Sequence, residues 1–586
     1  MFPYATHDSD KELNKRYLLV SRQPDFKERI MGFTKIEPKK WFTKDYWYLD
    51  TPPASYATRD GWSNADVDVV PIDQRNWRAI NYLFLWLSDG ANVGTMQQAG
   101  SIVAMGLSWR EASGAIAIGN IIIAVAVTLN GTIGSRHHIP FSIASRASMG
   151  FYFSYFAVFS RLVLGLLYFG INTFIGASCT LICLEAIWPS LKTFPNTIPV
   201  AQGVASNKMI AYFVFWIIQF PLVLIHPRKM RWLFFVKSIV AVIAAFATLG
   251  WAVHTAGGSG PVFAKHSTLT GSTRAWAWVA GINVAISGKT TLAINIPDLT
   301  RYAHKTSDSY WQLLFIPLVY WTFSFIGIVI ASAGQEIYGT LYWDPTMIIA
   351  QWTSRAGAFF VAFAFALATL GTNISTNSIA SSNDFAFLAP KWLNIRRGAF
   401  ITAVLGGWVT CPWKIQASAT ALTTFLSGYI IVLAPIVAIM ISDYWVIRKT
   451  RFHVPMLYQN EGIYKYHYGT NWRAVVTLLI AVPINLPGLI HAINTKVDIG
   501  NYAFFYKASW LTSTAMGAGI YLTLSYVFPP TSTLVDETVE SMEEDYALSD
   551  PQGWEQEHDK EKRSSAGELP ASSSHSNSTY PIVDKV

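Results

Sequence analysis

The chain has 586 residues, of which 52% are hydrophobic, 15% aromatic and only 14% charged, against roughly 25% charged residues in soluble domains. Stretches such as 156–191, with one Arg and one Glu, and 399–442, with one Lys, exceed the roughly 20 residues needed to cross a bilayer. An ordinary soluble domain is therefore excluded, and the net charge of +8 carries no argument for nucleic acid, because the basic residues cluster in short loops between apolar runs.

Residues 1–76 are polar and rich in Lys, Asp, Pro and Trp, with no apolar core following a basic start, so no cleavable signal peptide is expected. The segment is read as a cytoplasmic N-terminal region. Apolar runs follow at about 79–106, 112–130, 151–187, 209–225, 232–253, 276–296, 311–333, 356–380, 399–413, 421–446, 473–493 and 506–529. The pattern predicts an all-α polytopic membrane protein of about twelve spans within residues 77–530. With the N-terminus in the cytoplasm, the loops after even-numbered spans are internal. They read "GSRHHIPFSIASRAS", "HPRKMRW", "DLTRYAHK", "KWLNIRR" and "VIRKTRFH". All are basic, as the positive-inside rule requires, so both termini are expected in the cytoplasm. His137 and His138, in the first of these loops, are expected to be solvated.

Residues 531–586 hold an acidic block, "DETVESMEEDY", and a Ser-rich stretch, "SSAGELPASSSHSNST". High charge with low hydrophobicity predicts a disordered tail. Its Lys560, Lys562 and Lys585 could serve trafficking or the ubiquitination machinery; a solvated tail without such a role fits as well. Cys179, Cys183 and Cys411 lie in or at the ends of apolar runs and are expected as small buried hydrophobes. No disulfide, metal site or cofactor follows from them.

Three spans carry polar and glycine residues near their middles: "LSDGANVGT" in the first, "SGKTT" in the sixth and "LGTNISTNS" in the eighth. Irregular backbone at membrane depth is tolerated where it lines a cavity, and interrupted helices in corresponding positions of two halves point to a transporter site. The first and sixth spans would correspond in two inverted repeats of five. Lys289 is an intramembrane cation and a functional candidate by default, unless it snorkels to an interface. The "GKTT" around it is no phosphate-binding loop, which needs glycine where Asn283 stands. Asn373 and Asn377, four apart in the eighth span, share a helix face. Their carboxamides suit the lactam edges of heterocycles, or act as glue between helices. Thr372, Ser375 and Thr376 add hydroxyls. Tyr168 and Asn172 in the third span can stack a planar ring and bond its edge. Asp89 beside Gly90 is a candidate for titration, or a brace for the helix break. No catalytic constellation is visible, and an enzyme is not expected.

"SDGAN", "IPFSIASRASMG", "NIPDLTRYA", "GTNISTNSIASSNDF" with "NIRRG", "SGYIIVLAPIVAIMISDYWVIRK" and "NWRAVVTLLIAVPINLPGLI" together resemble the fungal Fur branch of the nucleobase–cation symporter-1 family. The resemblance implies the LeuT-type fold: two inverted five-helix repeats plus two C-terminal helices. It implies alternating access, with spans one, two, six and seven moving against a scaffold. It further implies a plasma-membrane permease for a nucleobase, nucleoside or related heterocycle of the uracil, uridine and allantoin class, with thiamine or nicotinamide riboside as the rival cargo. The coupling ion implied is H+ rather than Na+. A nutrient receptor without net flux is a further alternative.

The family's stacking Trp and bonding Gln of the third span fall on Tyr168 and Asn172, a departure that reshapes the pocket. Lys289 matches a lysine of the binding region. Asn377 matches the asparagine that bonds the ring edge, with Asn373 one turn before. The pair of hydroxyls at the bacterial sodium site falls on Gly371 and Thr372, so one is missing. Tyr429, with residues 430–433, falls at the outer gate, and Asp89 in the proton-coupling network.

Overall fold

The computed structural model describes residues 62–225, 231–258, 263–264 and 266–541, together with Leu49 and Tyr56. The tail lysines Lys560, Lys562 and Lys585 and most of residues 1–61 lie outside it. Residues Leu49–Glu540 form one compact unit.

The described residues build twelve spans in order. The first is two halves, Ala79–Gly90 and Val93–Ala104; the second is Trp109–His137, the third Ser154–Ile187, the fourth Ser206–Val223 and the fifth Arg231–Thr255. The sixth is Gly271–Asn295. The seventh runs through Thr306–Tyr310 and Gln312–Tyr338, and the eighth through Arg355–Thr372 and Ile379–Leu388. The ninth begins at Ile395–Val404, the tenth is Ala419–Ser442, the eleventh Trp472–Ile493 and the twelfth Ser509–Val527. Among the described residues, nine helices are long and apolar enough to cross a bilayer. The first span falls outside that set because it is broken and the ninth because its helix Ile395–Val404 is short; the twelfth, Ser509–Val527, is also outside it. Large apolar side chains such as Ile217, Phe246, Leu318, Phe360 and Phe363 stand exposed on outer faces, which lipid rather than water accommodates.

The three expected interruptions take three different forms. The first span does break. Asn92 leaves helical geometry at φ −139°, ψ 163° and caps the second half, its Oδ1 accepting from Thr95 N at 3.0 Å. Its Nδ2 donates to the Asp89 carbonyl, so one carboxamide satisfies both broken ends. The sixth span, against expectation, is continuous through "SGKTT". The residues that suggested a break serve close packing instead: a Cβ at Gly288 would lie 2.7 Å from Gln98 Nε2 of the first span. Ser287 and Thr290 bond back to the carbonyls of Asn283 and Ile286, so their hydroxyls need no irregular backbone. The eighth span stays helical but widens into a π-turn over Asn373–Ser378, a form frequent at functional sites.

The second span packs on the sixth and seventh, and both halves of the first pack on the seventh. The third packs on the fourth and eighth, and the eighth on the ninth. Mapping spans one to five onto six to ten turns the pair three–four into eight–nine, and the pair two–six into seven–one. The contacts thus carry the internal symmetry of an inverted repeat. The eleventh and twelfth spans pack against the tenth.

Two buried ion pairs pin the bundle. Arg161 of the third span pairs with Asp384 of the eighth. Arg448, at the end of the tenth, pairs with Asp443 at 2.6 Å and donates to the Thr533 carbonyl at 2.6 Å. His137 and His138 are buried, contrary to the solvated reading. His137 stacks on Phe452 and bonds the Tyr444 hydroxyl at 3.1 Å, and His138 Nδ1 lies 2.9 Å from the Arg301 carbonyl. His137 ends the second-span helix and His138 caps it, and both side chains pack against neighbouring segments instead of extending into solvent. Cys179 and Cys183 are buried, but Cys411 is exposed, at φ 47° in the turn that ends the ninth span.

Candidate functional site

A cavity of ≈110 Å³ lies where the break of the first span meets the third, sixth, seventh, eighth and tenth. It is small beside the roughly 300–1,000 Å³ of drug-sized ligand sites. Tyr168, Asn172, Lys289, Asn377, Asp89 and Thr372 all line it. Polar residues from apolar runs as far apart in the chain as Asp89 and Asn377 share one chamber.

Lys289 is buried at 3% exposure. Its Nζ donates to Gln98 Oε1 at 3.1 Å and to the Ala285 carbonyl, one turn back, at 3.0 Å. It also lies 4.4 Å from the centroid of the Tyr320 ring, a cation–π arrangement whose worth grows with desolvation. The Tyr320 hydroxyl donates to Asp89 Oδ2. An ammonium and a carboxylate are thus joined through one phenol, and the charge is held inside the bundle instead of snorkelling outward.

Lys237 of the fifth span is a second buried ammonium, at 1% exposure. Its Nζ donates to Thr372 Oγ1 at 2.9 Å, and Thr372 Oγ1 lies 3.3 Å from the Ser88 carbonyl of the first span. Its methylenes run where a side chain at residue 371 would stand: a Cβ at Gly371 would meet Lys237 Cδ at 2.3 Å. The hydroxyl missing at Gly371 is therefore room for a lysine. Both ammonium groups lie within electrostatic reach of Asp89.

Further along the eighth span, Asn377 Nδ2 donates to Asn373 Oδ1 at 2.9 Å. Asn373 itself is fully buried and is not part of the cavity lining. Its Nδ2 turns into the scaffold, toward Gln219 Oε1 at 2.9 Å, the Phe169 carbonyl at 3.0 Å and Thr173 Oγ1 at 3.1 Å. Asn172 Nδ2 donates to the Tyr168 carbonyl at 3.2 Å, which leaves its Oδ1 toward the chamber. The Tyr168 ring meets Phe425 edge-on, with centroids 6.0 Å apart. Tyr429 also lies outside the lining; its hydroxyl donates to the Ser160 carbonyl of the third span at 3.0 Å. Leu422 and Leu426 are the tenth-span residues that line the cavity.

Sequence reasoning missed Tyr320, Lys237, Gln97, Gln98 and Gln416. Gln97 Oε1, Thr291 Oγ1 and Gln416 Nε2 are buried without a hydrogen-bond partner among the described residues, and all three residues line the cavity. Buried polar atoms are nearly always paired, so these three stand out in the lining. The adjacent amides of "MQQAG" in the first span carried the same signal as Lys289, polarity inside an apolar run. Tyr320 carried none, one ring in "LVYWTFSF".

The arrangement offers a ring-sized chamber with an aromatic wall, two carboxamide edges and a buried charge network at the break of a helix. Comparison with known proteins agrees with that chemistry. Residues 69–512 match the family described as permease for cytosine/purines, uracil, thiamine, allantoin. An uncharacterised permease of Schizosaccharomyces pombe is 36% identical over 83% of this chain and 88% of its own. The allantoin permease of Saccharomyces cerevisiae is 32% identical over 84% of this chain and 80% of its own, and the uracil permease of that organism is 32% identical over 80% and 76%. The nucleobase-cation-symport-1 transporter Mhp1, in a closed conformation with bromovinylhydantoin bound, superposes with a TM-score of 0.65. It is 20% identical, covering 83% of this chain and all of its own. Fold, inverted repeat and sequence thus converge, and the chain belongs to the nucleobase–cation symporter-1 family of membrane permeases.

Proposed function

We propose that the protein imports a small nitrogen heterocycle of the uracil, uridine and allantoin class together with protons, by alternating access across the plasma membrane. The observation that carries this reading is the pairing of the Asn377 and Asn172 carboxamides with the Tyr168 ring around a chamber of ≈110 Å³. Carboxamides match the alternating N–H and C=O groups of such rings, and the ring of Tyr168 supplies a stacking face. Relatives named for uracil, uridine and allantoin, each 32% identical, support the same class.

Proton coupling rests on Lys237. Its ammonium donates to the Thr372 hydroxyl, which in turn bonds the Ser88 carbonyl of the first span, where the resemblance implies a sodium site in bacterial relatives. A positive charge fixed there repels a free cation, and it can be altered only by moving a proton. Asp89, joined to Lys289 through Tyr320, is the partner group. In the cycle, protonation favours the state that accepts cargo from outside, the ring binds against Tyr168 and the two amides, and spans one, two, six and seven swing against the scaffold. The basic loops after even-numbered spans support cytoplasmic termini.

The test is uptake of radiolabelled uracil, uridine and allantoin by cells lacking their own permeases, with thiamine and nicotinamide riboside as competitors. Accumulation that rises as external pH falls and is abolished by a protonophore is expected. Binding without accumulation would support a receptor instead, and inhibition by thiamine alone would move the cargo class.

A further inference from the structure

Asn377 can reach a ligand in two orientations, with its oxygen forward as an acceptor or its N–H2 forward as a donor. Which one it adopts is decided outside the cavity. The chain of bonds behind it begins at the Phe169 carbonyl, which can only accept. Thr173 Oγ1 donates to that carbonyl at 2.8 Å, so its lone pairs face the other way and receive Gln219 Nε2 at 3.1 Å. Gln219 is then fixed with Oε1 toward Asn373 Nδ2, at 2.9 Å, the shortest of three acceptors there beside the Phe169 carbonyl at 3.0 Å and Thr173 Oγ1 at 3.1 Å. Asn373 in turn has Oδ1 toward Asn377 Nδ2, at 2.9 Å. Gln219, Thr173 and Asn373 are each 0% exposed, so no water relaxes the sequence. Reversing any one amide would set oxygen against oxygen in a dry interior, and an unsatisfied buried group is costly.

We propose that Gln219, in the fourth span, is a specificity-determining positioning residue. Acting through Asn373, it locks the Asn377 carboxamide with Oδ1 toward the cavity, so that the site selects a cargo ring presenting an N–H donor at that edge. Asn373 is then a link in the relay, not a contact for the cargo. The proposal rests on the reading of Asn377 as a cargo contact. A site built to bond an N–H discriminates strongly against an analogue lacking it, because its own polar group is left unpaired.

The experiment uses full-length protein in permease-deficient cells. The probe is whichever of uracil, uridine or allantoin the wild type accumulates, competed with the isostere in which ring oxygen replaces ring N–H. Wild type should prefer the N–H form by about 100-fold or more. Gln219→Leu should cut the preference to within about 10-fold and raise KM, while maximal uptake per surface transporter stays within about 3-fold. Gln219→Glu, protonated in that dry setting and still offering an acceptor oxygen to Asn373, should keep the preference. Asn373→Leu should lose it.

Two results overturn the proposal: an unchanged preference in Gln219→Leu at normal surface abundance, or an equal loss of affinity for both ligands. Asn377→Ala separates the layers. If it too keeps the preference, the cargo-contact reading fails. If it loses the preference while Gln219→Leu does not, the relay alone fails. Should Gln219→Leu not reach the surface, Gln219→Asn, one methylene too short to reach Asn373, reads the same quantity.

Discussion

The ammonium of Lys289 lies 4.4 Å above the ring of Tyr320, and the hydroxyl of that same ring donates to Asp89. One aromatic side chain therefore serves a cation with its face and an anion with its edge. The two functions separate by substitution. Tyr320→Phe keeps the ring beneath Lys289 and removes the donor to Asp89. Losing a hydrogen bond to a buried charge costs about 1–3 kcal/mol, or roughly 5- to 150-fold at 1.4 kcal/mol per factor of ten. Initial uptake rates per surface transporter should fall within that range and the external pH dependence should shift. Tyr320→Leu should be worse. Equal rates in Phe and Leu variants would remove the cation–π contact from the account.

Lys237 and Gly371 should behave as a unit. Gly371→Ser on the native background places a Cβ 2.3 Å from the lysine chain and should abolish uptake. Lys237→Ala alone should flatten the dependence of accumulation on external pH. The double variant Lys237→Ala, Gly371→Ser removes the ammonium and restores a pair of hydroxyls at 371 and 372. It should regain uptake, now stimulated by sodium. Uptake measured in sodium against choline media decides this, and a double variant as inactive as Gly371→Ser would refute the steric link.

The third span offers a change of selectivity. Tyr168→Trp with Asn172→Gln restores the side chains implied by the resemblance, at positions that line the cavity. The larger ring and longer amide shrink a chamber of ≈110 Å³. The ratio of uracil to uridine uptake should therefore rise by about tenfold, within the 1–3 kcal/mol typical of shape discrimination in a pocket. A ratio left unchanged would place cargo selection elsewhere.

Arg161 and Asp384 carry a stability prediction. Both are buried, at 0% and 1% exposure, and Arg161→Leu strands a carboxylate in the scaffold. Breaking such a pair from one side costs about 3–5 kcal/mol. The variant should lose monodisperse protein on heating in detergent well below the wild-type temperature. Arg161→Leu combined with Asp384→Leu should recover part of the loss. A double variant no better than the single one would contradict the ion-pair explanation.

The site was legible where the sequence placed something costly in lipid. Lys289 stood out because apolar residues surround it, and Asn377 because two amides share a helical spacing. The same spacing could not say which amide faces the chamber, since Asn373 and Asn377 bond each other and the neighbouring third and fourth spans decide. Lys237 escaped because it follows "HPRKMRW" by five residues and blends into a basic loop. Its meaning lies in the distance to Thr372, which no local pattern encodes. The sixth span looked broken because glycine and hydroxyls are also what a close helix crossing needs. Tyr429 was placed by resemblance, and its hydroxyl proves to be engaged with the Ser160 carbonyl. Most of the spans were plain, because crossing a bilayer fixes both length and composition, and nine helices among the described residues meet both.

The reach of Lys237 to Thr372 has a last consequence. A metal ion at such a place comes and goes with the medium, and its occupancy follows external salt. An ammonium tethered by four methylenes has no off-rate: its local concentration is set by the covalent chain, whatever surrounds the cell. On the proton-coupled reading proposed above, dilute fresh water and brine look alike to it, and acidity is the variable of the surroundings it registers.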